Sequence, residues 1–165
     1  TGGTVDVLVF DNATGNAFTY GKLKHWDNPS KVDENGKPEL YERHYCVINA
    51  EYPSGSGDHT PTIKIDARGY VGLLISRDGK YVTAVATLTE HKGVGRSDFY
   101  TRGDAVYLDI GSRAILVSDE VQCYNEATDS WFSSLDEARA YSDHLTVYYD
   151  KSPEKGGQIR IVVAE

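Results

Sequence analysis

The feature that most constrains the fold of this chain is a pair of apolar runs separated by a short glycine turn. Residues 70–76 and 81–88 are rich in Val, Leu, Ile and Ala, and Arg77-Asp78-Gly79-Lys80 lies between them. An Asp-Gly pair between two such runs is the strongest short-range signal for a β-hairpin, because both central residues of a type I′ turn need positive φ. We therefore predict an antiparallel hairpin over these residues.

The same kind of run recurs along the chain and predicts an all-β fold. Strand character is found at residues 4–10, 17–23, 41–50, 62–66, 103–110, 114–117, 121–124, 145–150 and 158–163. The chain has 12 Tyr, and aromatic residues favour pleated, half-buried surfaces. We expect an antiparallel barrel or a sandwich of hairpins. The polar segments 25–39 and 90–102 are predicted as exposed loops, and Ser118-Asp119 as a turn.

One short helix is predicted near 133–141. Ser134 and Glu137 have the spacing of a capping box, in which each side chain satisfies a free backbone donor at the helix start. Leu135 and Ala138 would face inward. Such a helix would close one end of a barrel or cover an open sheet.

Length and charge limit the domain organisation and the partners. The 165 residues are enough for one domain with its own core, and we interpret 1–165 as a single β domain. The Gly-Ser segment near 53–60 leaves open a subdivision into 1–53 and 60–165. A net charge of −8 repels phosphate backbones and argues against nucleic acid as a partner. No apolar run approaches the roughly 20 residues that cross a bilayer, so we expect no membrane span in this segment.

The two cysteines, Cys46 and Cys123, leave two interpretations open. They could form a disulfide across the β fold, which would contribute about 4 kcal/mol for so long a loop. They could equally be two buried thiols that act as small apolar side chains.

No sequence motif points to catalysis, so we expect no enzyme, no catalytic residues and no bound cofactor. The five histidines show neither HxH nor HExxH spacing. Gly55-Ser56-Gly57 lacks the GxSxG spacing of a nucleophile elbow. Asp11, Asn12, Thr14 and Asn16 bring several oxygens together, which suggests calcium as an alternative to simple turn capping, although the EF-hand pattern is absent.

Aromatic residues in or beside the predicted loops are the best candidates for a binding surface. These are Trp26, Trp131, Tyr41 and Tyr100. Exposed aromatic rings serve as anchors at protein interfaces, and they can also stack on sugars. The competing interpretation is that the two tryptophans seal the ends of the core.

Several segments of residues 62–165 resemble a β-rich repeat domain of Gram-positive surface proteins of the S-layer type, which often accompanies SLH domains. The likeness is carried by Asp78-Gly79-Lys80-Tyr81-Val82-Thr83, by residues 117–124, by Ser134-Leu135-Asp136 and by the strands at 145–149 and 159–163. The chain departs from the pattern in its cysteines. It also has Tyr141-Ser142-Asp143-His144 where those domains usually carry a Gly-Asp turn.

The resemblance implies a secreted, non-enzymatic structural, assembly or display domain at the bacterial cell surface. Its partners would be neighbouring domains or copies of the same surface protein. The alternative function is that of a carbohydrate-binding module, in which the loop aromatics would stack on a glycan.

Overall fold

The computed structural model describes residues 18–27, 43–48, 60–61, 69–75 and 81–165, with backbone only for 23–27, 43–48, 60–61, 75 and 81–83. These residues form mostly strands and one short α-helix, which confirms the all-β class. The strands are β1 Thr19–Asp27, β2 Arg43–Ile48, β3 Thr60–Pro61, β4 Gly69–Ile75, β5 Tyr81–Thr87, β6 Thr89–Val94, β7 Phe99–Arg102, β8 Ala105–Ile110, β9 Arg113–Asn125, β10 Ser130–Phe132, β11 Leu145–Tyr149 and β12 Gln158–Ala164. The helix is α1 Leu135–Tyr141, and a 3₁₀ turn spans Pro153–Lys155.

The smaller sheet has the strand order β2-β1-β4-β5-β3. Strands β4 and β5 pair antiparallel, which confirms the predicted hairpin, although its turn lies outside the described residues. Strand β1 continues to Asp27 and pairs with β2, with Trp26 opposite His44. The loop predicted from residue 25 is therefore wrong at its start, because backbone pairing to β2 extends the strand through polar residues.

The larger sheet has the strand order β6-β11-β12-β9-β8-β7, with β10 also paired to β9, and it curls into a half-barrel. Most of its neighbours are antiparallel, as expected for hairpins. The pairing of β12 with β9 is parallel, however, as is that of β3 with β5 in the smaller sheet. Strand β12 lies between β11 and β9, so ladders flank it on both sides.

Two-residue turns close the meander β7–β8–β9. Arg102 pairs with Ala105 across Gly103-Asp104, and Ile110 pairs with Arg113 across Gly111-Ser112. The glycine has φ of +64° in both turns, and the residue after it does not have positive φ. Glycine at the first central position is the signature of a type II′ turn, whose twist matches that of the flanking strands.

Strand β9 is one long strand where two short strands and a turn were predicted. Its register against β12 jumps from Val117↔Ile159 to Gln122↔Ile161. The residues between form an irregularity in which Ser118 Oγ accepts a hydrogen bond from the Glu120 N–H at 3.3 Å. The predicted turn at Ser118-Asp119 is thus a bulge that re-aims the strand without ending it.

The segment 90–102, predicted as a loop, contains most of β6 and all of β7. Only Val94 in β6 and Phe99 in β7 are buried, and most other side chains of the two strands are exposed. These strands end the larger sheet on either side. Edge strands bury little and can be polar, which explains why the apolar pattern missed them.

The helix α1 begins as predicted. Ser134 Oγ accepts a hydrogen bond from the Glu137 N–H at 3.2 Å. The return bond differs, because Glu137 Oε2 accepts from the backbone N–H and the hydroxyl of Ser133, both at 2.7 Å. Ala138 is fully buried against the half-barrel and Leu135 packs beside it, so the helix covers the larger core.

Two groups of buried side chains hold the described residues together. The larger core fills the half-barrel with aliphatic residues from β6, β8, β9, β11 and β12. A second, aromatic core consists of Tyr20, Tyr124, Ile161 and Val163. It joins β1 of the smaller sheet to β9 and β12 of the larger sheet.

Candidate functional site

The sequence-predicted aromatic residues do not converge on one site. Trp26 lies within β1 and not in a loop, and only its backbone is described. Tyr41 lies outside the described residues, as do the candidate calcium ligands at 11–16. Trp131 lies in β10 and Tyr100 in β7, so the two described rings belong to different parts of the larger sheet.

Trp131 is half-buried and packs against the aromatic core. Its ring centroid lies 4.8 Å from that of Tyr124. Its Nε1 is buried and has no hydrogen-bond partner among the described residues. The contact agrees with the core-sealing interpretation of this tryptophan, while its predicted role in binding stays a prediction.

A set of polar side chains next to that core joins the two sheets, and we call it the junction cluster: Lys22, Tyr70, Tyr124, Glu126 and Asp129. Lys22 Nζ lies 3.2 Å from Tyr124 Oη and 3.3 Å from Glu126 Oε1. The Tyr70 hydroxyl donates to Glu126 Oε2 at 2.5 Å, and the Tyr124 hydroxyl donates to Asp129. No local sequence signal pointed to this cluster, whose members come from β1, β4, β9 and the turn after β9.

The electrostatics of the junction cluster raise the pKa of its lysine and its two tyrosines and so favour their protonated forms. Burial raises the pKa of Tyr70, and the hydrogen bond to Glu126 raises it further. Burial lowers the pKa of Lys22, but the bonds to Tyr124 and Glu126 outweigh it, so the pKa ends above its usual value. At physiological pH the tyrosines of the cluster are therefore neutral and the lysine is charged. These forms suit hydrogen bonds and an ion pair that connect the two sheets.

A buried ion pair lies on the other side of the aromatic core. Arg160 Nε and Asp150 Oδ2 are 2.8 Å apart, with side chains only 2% and 6% exposed. The Arg160 guanidinium also donates to Ser118 Oγ at 3.1 Å and lies 5.0 Å from the Tyr20 ring centroid. Burial raises the pKa of Tyr20 to about 12, although the Arg160 charge opposes the shift. Arg160 therefore connects β12 to the bulge of β9 through Ser118 and to the end of β11 through Asp150.

The edge of the larger sheet at β7 presents an exposed surface with an aromatic ring and polar side chains. Tyr100 is 39% exposed, and its ring stacks on that of Tyr107 with centroids 6.1 Å apart and planes inclined by 24°. Its hydroxyl donates to Asp109 Oδ1 at 2.7 Å, and this bond raises the pKa of Tyr100. Asp98 directly precedes the strand, Arg102 is its last residue, and both are exposed. We call residues 98–102 the β7 edge.

A shallow depression of about 250 Å³ lies near the start of the β7 edge. Its lining residues are His91, Gly93, Val94, Asp98, Leu108 and Asp109. They come from β6, from β8 and from the loop before β7, so the depression marks where the two ends of the curled sheet approach each other. In the part of the chain that the structure describes, no group of three or more His, Cys, Asp or Glu could hold a metal ion.

Cys123 is a buried free thiol in β9. Burial raises its pKa to about 12, and the nearby Glu137 carboxylate adds to the shift. The free thiol of Cys123 agrees with the interpretation of buried thiols that act as small apolar side chains. The side chain of Cys46 lies outside the described part of the chain.

The described geometry offers two kinds of chemistry: a polar junction that ties the sheets together, and an open strand edge with an ordered aromatic ring. No helix among the described residues has both the length and the apolar character needed to cross a membrane. Compared with protein-family models, with curated proteins and with solved structures, the chain shows no match.

Proposed function

We propose that this chain is a non-enzymatic, extracellular structural or assembly domain of a bacterial cell-surface protein. The observation that carries the proposal is the β7 edge. It ends the described part of the larger sheet, and all of its side chains except the buried Phe99 are exposed. Strand edges present peptide groups that pair readily with another strand, so they serve as docking sites for neighbouring domains.

The rest of the described structure supports such a role by keeping that edge in place. The two type II′ turns fix β7, β8 and β9 as one meander. The bond of Arg160 to Ser118 holds β12 against β9, and the junction cluster holds β9 against the smaller sheet. A domain that spaces or displays its neighbours needs this kind of rigid connection between its surfaces.

The location can be tested on intact cells that produce the parent protein. An antiserum raised against this domain, combined with a membrane-impermeant biotin reagent, should label it without cell lysis. A cytoplasmic protein of the same cells should stay unlabelled and serves as the control. Labelling that appears only after lysis would contradict the proposal.

A carbohydrate-binding module is the second candidate, and the Tyr100–Asp109 pair favours it. An exposed aromatic ring beside a carboxylate can stack on a sugar while the carboxylate accepts its hydroxyl protons. Glycan-array binding that is lost in Tyr100→Ala, and retained in Tyr141→Ala, would support this function, provided both variants unfold at the wild-type temperature. Tyr141 is the matched control because its ring is also exposed, at 51%. An array without any bound glycan would count against it.

A further inference from the structure

The turn between β7 and β8 determines which peptide groups of β7 bond to β8 and which point outward. A two-residue hairpin makes the pair that closes it a hydrogen-bonded pair, and such pairs alternate along an antiparallel ladder. Arg102↔Ala105 closes the turn, so Tyr100↔Tyr107 is the next hydrogen-bonded pair. The peptide groups of Phe99 and Thr101 therefore point away from β8. No described residue pairs with this outer side of the strand.

The side chains along the same edge are arranged symmetrically about Tyr100. Tyr100 and Arg102 lie in β7 and share one face by the period-two alternation of a strand. Asp98 lies two residues before Tyr100, directly ahead of the strand, where its N–H donates to the Gly95 carbonyl at 3.1 Å. All three are exposed. Asp98 Oδ2 accepts the Gly95 N–H at 2.7 Å, which holds the carboxylate at the start of the strand. Arg102 has no ion-pair partner among the described residues.

We propose that the β7 edge pairs antiparallel with the β7 edge of a second copy of this chain, around a twofold axis at Tyr100. In this register Phe99 of each copy faces Thr101 of the other, and their outward peptide groups form the hydrogen bonds. Tyr100 faces Tyr100, and Asp98 faces Arg102 twice. The inference rests on the proposed assembly function and names the partner that the edge binds.

Three features select a second copy as the occupant. The order acid–aromatic–base is self-complementary when reversed, so both charged pairs form at once. A shift of the register by one residue would bring the wrong peptide groups together and remove both ion pairs. The Tyr100 rings, each stacked on its own Tyr107, would continue into a ladder of four aromatic rings.

The contact is small, so the association should be weak and depend on concentration. A four-residue edge buries less than the roughly 1,200 Å² of standard interfaces. Weak contacts of this kind become effective when copies are held at high local concentration, as in tandem domains or a surface array. The relevant measurement is sedimentation velocity of the purified chain from about 10 µM to about 1 mM, a range suited to weak interfaces.

A backbone substitution tests the strand pairing. Thr101→Pro removes the outward N–H without removing a bond to β8, because Pro is tolerated on the outer side of an edge strand. We expect it to abolish the rise of the sedimentation coefficient with concentration. Thr101→Val keeps the N–H and should associate like the wild type. Thermal unfolding of both variants checks that the fold is retained.

Charge reversal provides an independent test of the register. Arg102→Glu places two acids opposite each other and should also abolish association, whereas Lys155→Glu changes the net charge equally at a distant exposed site and should not. A mixture of the Arg102→Glu and Asp98→Lys variants should associate again as a pair of one copy of each. In that pair both contacts between position 98 of one copy and position 102 of the other join opposite charges.

The results would separate this inference from the proposed function. A sedimentation coefficient that stays constant up to about 1 mM would overturn the pairing. So would equal association of Thr101→Pro and Thr101→Val, or failure of the charge-swapped mixture. Labelling of the domain on intact cells would then still support a surface location with a different partner.

Discussion

The amino group of Lys22 lies 4.6 Å from the centroid of the Tyr124 ring and 3.2 Å from its hydroxyl, although the two residues are 102 positions apart. Lys22 belongs to β1 of the smaller sheet and Tyr124 to β9 of the larger sheet. The same amino group reaches Glu126 at 3.3 Å. This single side chain therefore connects the two sheets through a cation–π contact, a hydrogen bond and an ion pair.

We predict that Lys22→Met destabilises the chain by about 1 kcal/mol, measured as the free energy of urea unfolding. Partly exposed ion pairs contribute about 0.2–1 kcal/mol and exposed cation–π contacts about 0.5–1 kcal/mol. Solvent screening keeps the sum small, because the Lys22 and Glu126 side chains are 25% and 49% exposed. Lys155→Met, at an exposed 3₁₀ turn, should change stability by much less. Equal effects of the two variants would contradict a connecting role for Lys22.

Alkaline pH should weaken the fold through the buried tyrosines. Burial raises the pKa of Tyr70 and of Tyr148 above the value of 10.0 that applies to the unfolded chain. A raised pKa means that the folded state holds its proton longer, so stability is full below pH 10 and falls as the pH rises above it. The free energy of unfolding of Tyr70→Phe should fall less steeply between about pH 9 and pH 11 than that of the wild type. Parallel curves would show that Tyr70 does not contribute.

Acid pH should weaken the start of α1. The hydrogen bonds from the side chain and the backbone of Ser133 hold the pKa of Glu137 below its unfolded value of 4.5. A lowered pKa gives stability that is present above pH 4.5 and is lost as the pH falls through the folded value. Wild type should therefore be more stable than Glu137→Gln at pH 7, and the two should converge at low pH. Glu120→Gln is the matched control on β9, and a gap that does not depend on pH would contradict the assignment.

Removal of one partner of the buried Arg160–Asp150 pair should lower the stability of the chain. We expect Arg160→Met to destabilise the chain by about 3–5 kcal/mol, since it leaves a buried carboxylate without its partner. The exposed pair Arg113–Glu154, 3.0 Å apart with side chains 61% and 53% exposed, offers the control. Arg113→Met should cost less than about 1 kcal/mol in chemical denaturation. Similar losses in both variants would show that burial of Arg160 is not maintained in solution.

Cys123 should react slowly with alkylating reagents in the folded chain. The thiolate is the nucleophile, and a pKa of about 12 leaves little of it at neutral pH. Mass-spectrometric mapping after iodoacetamide treatment should find Cys123 modified far faster in denaturant than in native buffer. Omitting the reducing agent from a parallel denatured sample shows whether Cys46 and Cys123 are bonded. Equal labelling rates with and without denaturant would contradict the buried position.

The parts of the fold that could be predicted are those with a local cause. The hairpin of β4 and β5 follows from alternation around Asp78-Gly79, and the helix α1 follows from the spacing of Ser134 and Glu137. The edge strands β6 and β7 could not be predicted in this way. Each of these strands has a single buried side chain, Val94 in β6 and Phe99 in β7. Their sequences therefore show no alternation of apolar and polar residues.

The junction cluster and the parallel pairing of β9 with β12 have no local signal at all. Tyr70 and Glu126 are 56 positions apart, and their bond exists only because the smaller sheet packs against the larger sheet near the end of β9. The high tyrosine content favoured β-sheet, but it does not indicate which tyrosine rings contact each other. Tyr100 is exposed, but Tyr100 and Trp26 both lie in strands and not in the loops in which they were predicted.

Strand β12, held between β11 and β9, also determines how this chain should respond to tension. A pull along its axis loads the ladders on both flanks in shear, so many bonds must fail together and not one after another. Single-molecule stretching with the force applied at residue 164 should give a high rupture force, and a strand that peels away gradually would contradict it. A domain with this geometry would resist stretching through β12 far better than a domain whose loaded strand lies at a sheet edge.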